Sequence, residues 1–110
     1  MGRALRHILF VVCLLSVSVI AASASRAAAL QQRTYAYGSH ARQALDAYWS
    51  APAQGAQPGI VIVHGGYWNA GRKSDWKATA QWYAGQGFAV FAVDHRYNTD
   101  AAWPAPRDDV

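Results

Sequence analysis

Two short apolar runs, Gly59-Ile60-Val61-Ile62-Val63 and Phe88-Ala89-Val90-Phe91-Ala92-Val93, constrain this chain more than any other feature. Each has strand length and is rich in β-branched or aromatic residues. Between them Trp76, Ala80, Tyr83 and Ala84 fall on one face at helical spacing. Ser74 or Asp75 can cap that helix, and Gly85 and Gly87 can stop it. Strand, helix, strand in this order predicts a βαβ unit, parallel and right-handed. Being apolar on both faces, Gly59–Val63 reads as a strand covered on both sides.

In open α/β sheets, ligands bind outside the carboxyl ends of the strands. Here those ends carry His64-Gly65-Gly66-Tyr67-Trp68 and Asp94-His95-Arg96-Tyr97. Two glycines at a strand tip let the backbone turn sharply and come close to a ligand. The amides that follow can then point into a cleft. Backbone N–H groups aimed at a carbonyl oxygen that gains charge form an oxyanion hole.

Upstream, Arg33 to Gly38 suits a short strand, with Ala27 to Gln32 as a flexible lead-in. Gln43 to Ser50 alternates, with Leu45, Ala47 and Trp49 on one face and Asp46 and Tyr48 on the other. With a turn at Gly38-Ser39 these two segments read as an antiparallel hairpin. Ala51 to Pro58 is a loop. Downstream, Trp103-Pro104-Ala105-Pro106 leads into a helix start with Asp108 and Asp109 in its first turn.

The N-terminus has its own logic. Arg3 and Arg6 precede an apolar run from Ile8 to Ala22, and small residues follow. That is the pattern of a secretory signal peptide over residues 1–24, with cleavage as late as residue 29 also open. The rival, an uncleaved anchor, needs roughly 20 apolar residues to span a bilayer. Cleavage leaves residues 30–110 as the working domain, exported and without a stable membrane span. Cys13 is the only cysteine and leaves with the signal, which excludes disulfides and thiol chemistry. The formal charge of +4 falls to +2 once Arg3 and Arg6 are gone. The remaining basic residues are scattered, giving no stripe for nucleic acid. No HxH or H-E-x-x-H spacing supports a metal among His64, Asp94 and His95, and nothing indicates a cofactor.

In combination, Leu45-Asp46-Ala47-Tyr48-Trp49, Val61-Ile62-Val63-His64-Gly65-Gly66-Tyr67-Trp68 and Gly87-Phe88-Ala89-Val90-Phe91-Ala92-Val93-Asp94-His95-Arg96-Tyr97 resemble the start of an α/β-hydrolase. The nearest groups are hormone-sensitive-lipase-like carboxylesterases with their feruloyl-esterase and arylformamidase branches. The resemblance implies an α/β fold that is an incomplete α/β-hydrolase, a hairpin plus one βαβ unit in strand order 1-2-4-3. It implies hydrolysis of a small ester, or less often an amide, through an acyl-serine intermediate. Gly66 and Tyr67 would supply oxyanion-hole amides, His64 and Gly65 would support their loop, and Trp68 would meet substrate.

In that fold the serine, acid and histidine follow in chain order. No G-x-S-x-G surrounds Ser39, Ser50 or Ser74, so all three would lie beyond Val110 and the chain alone would be inert. Two other readings stay open. One is a small secreted binding module using Tyr67, Trp68 and Trp103. The other is a split hydrolase completed by a complementary C-terminal chain.

Single residues carry rival readings as well. His64 can be a catalytic base or a structural brace. Asp94 and His95 can be an acid–base pair or a turn, although neighbours at a strand end point apart. Asp94 and Arg96 read as structural, forming hydrogen bonds or an ion pair beneath the site loop. Tyr67 and Trp68 can stand at the mouth of an acyl or aromatic pocket or pack in the core, whereas Trp76 and Tyr83 read as core. His40 reads as solvated.

Overall fold

Among the described residues, the sheet has four strands and is organised around β4 (Ala89–Val93). The computed structural model describes residues 29–51 and 55–110, so the signal segment read from residues 1–24 lies outside them. β1 (Ala29–Ala36) and β2 (Ala44–Ala51) form the expected antiparallel hairpin. β2 pairs antiparallel with β4, and β4 pairs in parallel with β3 (Gly59–Val63). The order is β1-β2-β4-β3, the hairpin-plus-βαβ arrangement.

Some expectations need correction. β1 begins at Ala29, four residues before Arg33, because the pairing of Ala29 with Ala51 extends the hairpin into the supposed lead-in. β3 is covered on one face only: Ile60 and Ile62 pack against the core under the crossover helix, while Val61 and Val63 on the other face remain 65% and 43% exposed. Among the described residues it stands at the sheet edge, as the order 1-2-4-3 implies.

The crossover is a short 3-10 turn, Lys73–Trp76, running into helix α1, Lys77–Gly85. Neither Ser74 nor Asp75 is the cap residue. Arg72 takes that place, and the Asp75 carboxylate reaches back to accept from the Arg72 N–H at 3.0 Å. One of the orphan donors at the helix start is thereby satisfied. The helix stops as Gly85 and Gly87 foretell. Gly87 adopts φ 96°, its N–H donates to Ala84 O at 3.1 Å, and the Phe88 N–H donates to Tyr83 O at 3.3 Å. These two bonds make a Schellman motif, and the Tyr83 and Phe88 rings close it with an edge contact at 5.9 Å.

α1 lays Ala80 and Ala84, both fully buried, against Tyr48, Val90 and Ala92, with Ile60 and Ile62 beside them. Two alanines let the helix sit close, and the Ser50 hydroxyl donates to Ala84 O at 2.8 Å across the contact. The face of β2 under the helix is therefore the one with Asp46, Tyr48 and Ser50. The apolar series Leu45, Ala47 and Trp49 lies on the opposite face, where Trp49 and Leu45 are half-buried. Asp46 tolerates its position because Thr34 Oγ1 donates to it at 2.6 Å and Lys73 Nζ at 3.0 Å. Trp76 is 40% exposed, not core, because it belongs to the 3-10 turn and so leaves the face shared by Ala80 and Ala84.

Candidate active site

β3 and β4 end in step, with Val63 paired to Val93, so the two motif loops leave the sheet side by side. After Val63 the chain turns at Gly66 (φ 127°), passes through Tyr67 (φ 54°) and Trp68 (φ 62°), and returns at Gly71 (φ 86°). The N–H groups of Asn69 and Ala70 both donate to Gly66 O at 3.0 Å, which closes the turn. A β-carbon on Gly66 would lie 2.1 Å from Ala70 O, and one on Gly71 would lie 2.4 Å from Gly65 O. Only glycine fits at either place. Gly65 differs: a β-carbon there meets nothing within 4 Å, so this position borders open space.

Among the described residues, the N–H groups of Gly66 and Tyr67 have no hydrogen-bond acceptor. Both residues line a cleft of about 280 Å³, together with Val63, His64, Gly65, Trp68 and His95. Both lie outside the sheet ladder and outside any helix.

Beneath this turn His64 and His95 are buried and stacked, ring centroids 4.3 Å apart and planes 19° apart. His64 Nδ1 lies 2.9 Å from Gly65 O, and His95 Nδ1 lies 2.9 Å from Arg96 O. A carbonyl only accepts, so each Nδ1 carries the proton. His64 Nε2 then faces Asp94 Oδ1 at 3.4 Å, at an angle that makes no hydrogen bond. Asp94 Oδ1 instead accepts from the Lys73 N–H at 2.6 Å, which ties the start of the crossover to the end of β4. Asp94 and His95 do not pair with each other among the described contacts.

The second loop is fastened to the first. The Asn98 N–H donates to Trp68 O at 2.8 Å, and the Tyr97 hydroxyl donates to Gly71 O. The Trp68 ring tilts over His95 at 4.9 Å and meets Trp103 edge-on at 5.6 Å. Trp68 thus packs inside the loop cluster and also lines the cleft.

Asp94 and Arg96 both make structural contacts, though not with each other: Asp94 accepts from the Lys73 N–H and Arg96 forms an ion pair with Asp109. Arg96 turns to Asp109 at the end of α2 (Ala105–Asp108), with Nη2 at 2.7 Å and Nε at 2.9 Å. Hydrogen bonding to Arg96 holds the Asp109 carboxyl well below the usual carboxylate range. Gln43 Nε2 also donates to Asp109 at 3.0 Å. Close by, the Tyr37 hydroxyl donates to Asp94 O. Burial, then the charges of Asp109 and Asp94, push its pKa up to about 12. His40 is half-buried, and its Nδ1 accepts from the Arg42 N–H at 3.1 Å, so it organises the hairpin turn.

No G-x-S-x-G nucleophile lies in the cleft. Ser50 is under α1 and bonded to Ala84, while Ser74 is exposed in the 3-10 turn. Among the described residues no three His, Cys or Asp side chains converge as metal ligands would.

Sheet order, crossover and glycine turn define the N-terminal part of an esterase-like hydrolase of the α/β-hydrolase type. The BD-FAE family model matches residues 45–110, and the chain belongs to that family. Among solved structures, esterase B from Lactobacillus rhamnosis is similar at 27% identity and a TM-score of 0.65, over 73% of this chain and 27% of that one. A truncated carbohydrate esterase from gut microbiota is similar at 31% identity and a TM-score of 0.55, over 78% of this chain and 32% of that one. A bacterial heroin esterase shares the fold at 20% identity and a TM-score of 0.58. The chain therefore spans 27% to 32% of the length of these two closer relatives in sequence. No curated protein matches the chain.

Proposed function

We propose that this chain supplies the oxyanion-binding part of an exported carboxylester hydrolase. Gly66 and Tyr67 donate their N–H groups to the substrate oxygen that becomes negative during acyl transfer. His64 and Gly65 brace that turn, and Trp68 forms a wall of the substrate cleft. The single observation that carries this reading is the pair of unpartnered N–H groups at a glycine turn beside the cleft. Nucleophile, acid and base come from polypeptide outside the 110 residues, either a continuation of the chain or a partner chain. The exposed edge of β3, with Val61 and Val63 uncovered, favours completion by further polypeptide over a free-standing binding module. Amide hydrolysis would use the same hole.

The test is nuclear magnetic resonance titration of the labelled chain with methyl acetate. The Gly66 and Tyr67 amide signals should move together, and p-nitrophenyl acetate should not be turned over by the chain alone. Unmoved amides at saturating ester, or turnover abolished by substituting a residue of this chain, would overturn the reading. Export through a signal over residues 1–24 predicts a secreted product that begins near residue 25, or as late as residue 30, on N-terminal sequencing.

A further inference from the structure

Among the described residues only two that are not glycine adopt left-handed backbone, Tyr67 and Trp68. Such a placement strains any residue with a β-carbon, and glycine avoids the strain. Trp68 has compensation, because its ring packs on His95 and Trp103. Tyr67 has none. Its side chain is 94% exposed, and among the described residues its ring and hydroxyl meet no stacking or hydrogen-bonding partner. The oxyanion chemistry proposed above uses only the Tyr67 N–H, which glycine would offer without strain. A large, almost fully exposed aromatic side chain is thus held at the lip of the cleft, at a cost.

We propose that the Tyr67 side chain determines specificity, contacting a flat apolar group of the ester that projects beyond the cleft. This deepens the reading of the same site and rests on it. The cleft of about 280 Å³ has room for a small ester beside the two amides, and a larger substituent must pass its rim. A phenol suits that contact. It offers a broad apolar face and a polar tip, and its few torsions leave little entropy to lose on binding.

The labelled chain is titrated with methyl acetate and with two isomers, benzyl acetate and methyl phenylacetate, which place the ring on the alcohol or the acyl side. All three should move the Gly66 amide. The Tyr67 ring signals should move with at least one isomer, which binds roughly threefold to tenfold tighter than methyl acetate. In Tyr67→Gly and Tyr67→Ala that ratio should fall to near one. Tyr67→Gly also relieves the left-handed strain, so its Tm should not drop, and a well-folded variant is available. A ratio near one in the parent chain, or one kept in both variants, overturns the proposal and leaves the ring to pack on further polypeptide. Loss of the Gly66 response to all three esters overturns the oxyanion reading itself.

Discussion

Asp109 grips Arg96 by main chain and side chain at once: one carboxylate accepts from the Arg96 N–H at 2.8 Å and from its guanidinium at 2.7 Å and 2.9 Å. With Gln43 as a further donor, this carboxylate joins three segments: the hairpin turn, the loop after β4 and α2. Its side chain is only 2% exposed. Arg96 follows His95, which stacks on His64, so the grip lies next in the chain to the packing beneath the glycine turn.

Because Arg96 depresses the Asp109 pKa, the grip stabilises the fold above the unfolded carboxylate pKa of about 3.9. That contribution is lost as pH falls through the folded-state value. Thermal melts from pH 6 down to pH 2 should show a steep acid limb. Asp109→Asn should lower the Tm at pH 6 and flatten that limb. The neighbouring Arg107–Asp108 pair is 59% and 54% exposed, and Asp108→Asn should change stability by no more than about 0.5 kcal/mol. Equal acid limbs in the parent chain and Asp109→Asn would remove the role assigned to the grip.

Tyr37 governs part of the opposite limb. Its pKa, pushed up to about 12, exceeds the ordinary value of about 10, so its neutral form is favoured in the fold. The resulting stability is present below pH 10 and is lost as pH rises through about 12. Tyr37→Phe should remain less stable than the parent chain at neutral pH, since the bond to Asp94 O is gone. It should lose less stability than the parent between pH 10 and pH 12, measured by urea midpoints.

Tyr48 is 1% exposed, and its hydroxyl lacks a hydrogen-bond partner. Burial first, then the nearby Asp46 carboxylate, raise its pKa, but that carboxylate accepts from Thr34 and Lys73 and makes no hydrogen bond of good geometry with the Tyr48 hydroxyl. Removing an unsatisfied buried group recovers its desolvation penalty. Tyr48→Phe should stabilise the chain by about 1 kcal/mol, a rise of roughly 4–8 °C in Tm. A lower Tm would reveal a partner for the hydroxyl.

The adjacent glycines of the motif should separate cleanly. Gly66→Ala meets both a left-handed backbone and a carbonyl 2.1 Å away, and should cost more than the roughly 1–3 kcal/mol of backbone strain alone. Gly65→Ala meets nothing within 4 Å and should stay within about 0.5 kcal/mol of the parent chain. Its methyl group, at the border of the cleft, should still weaken ester binding measured at the Gly66 amide. Equal melts for the two variants would contradict the turn described here.

The parts of this fold legible in the sequence are those fixed by nearby residues. β3, α1 and β4 announce themselves through short-range periodicity, and Gly87 marks the helix stop because the Schellman turn needs a left-handed residue at that point. The covered face of β2 was hidden. Asp46 and Ser50 look like surface residues until Lys73 Nζ and Ala84 O, brought by the crossover, satisfy them. The Arg96–Asp109 grip spans 13 residues and the Gln43–Asp109 bond spans 66, and no local pattern links positions so far apart. Gly65-Gly66 announces a turn after β3, but the left-handed Tyr67 and Trp68 are not legible, since nothing in their side chains favours that conformation.

Val63 and Val93 stand opposite each other at the last rung of the parallel pair. Inserting one residue into either strand would slide its loop about 3.3 Å along the sheet and turn every later side chain to the other face. The imidazole stack and the tether from Asn98 to Trp68 would then part together. Strand length, a property with no chemistry of its own, is here a condition for the two loops to meet.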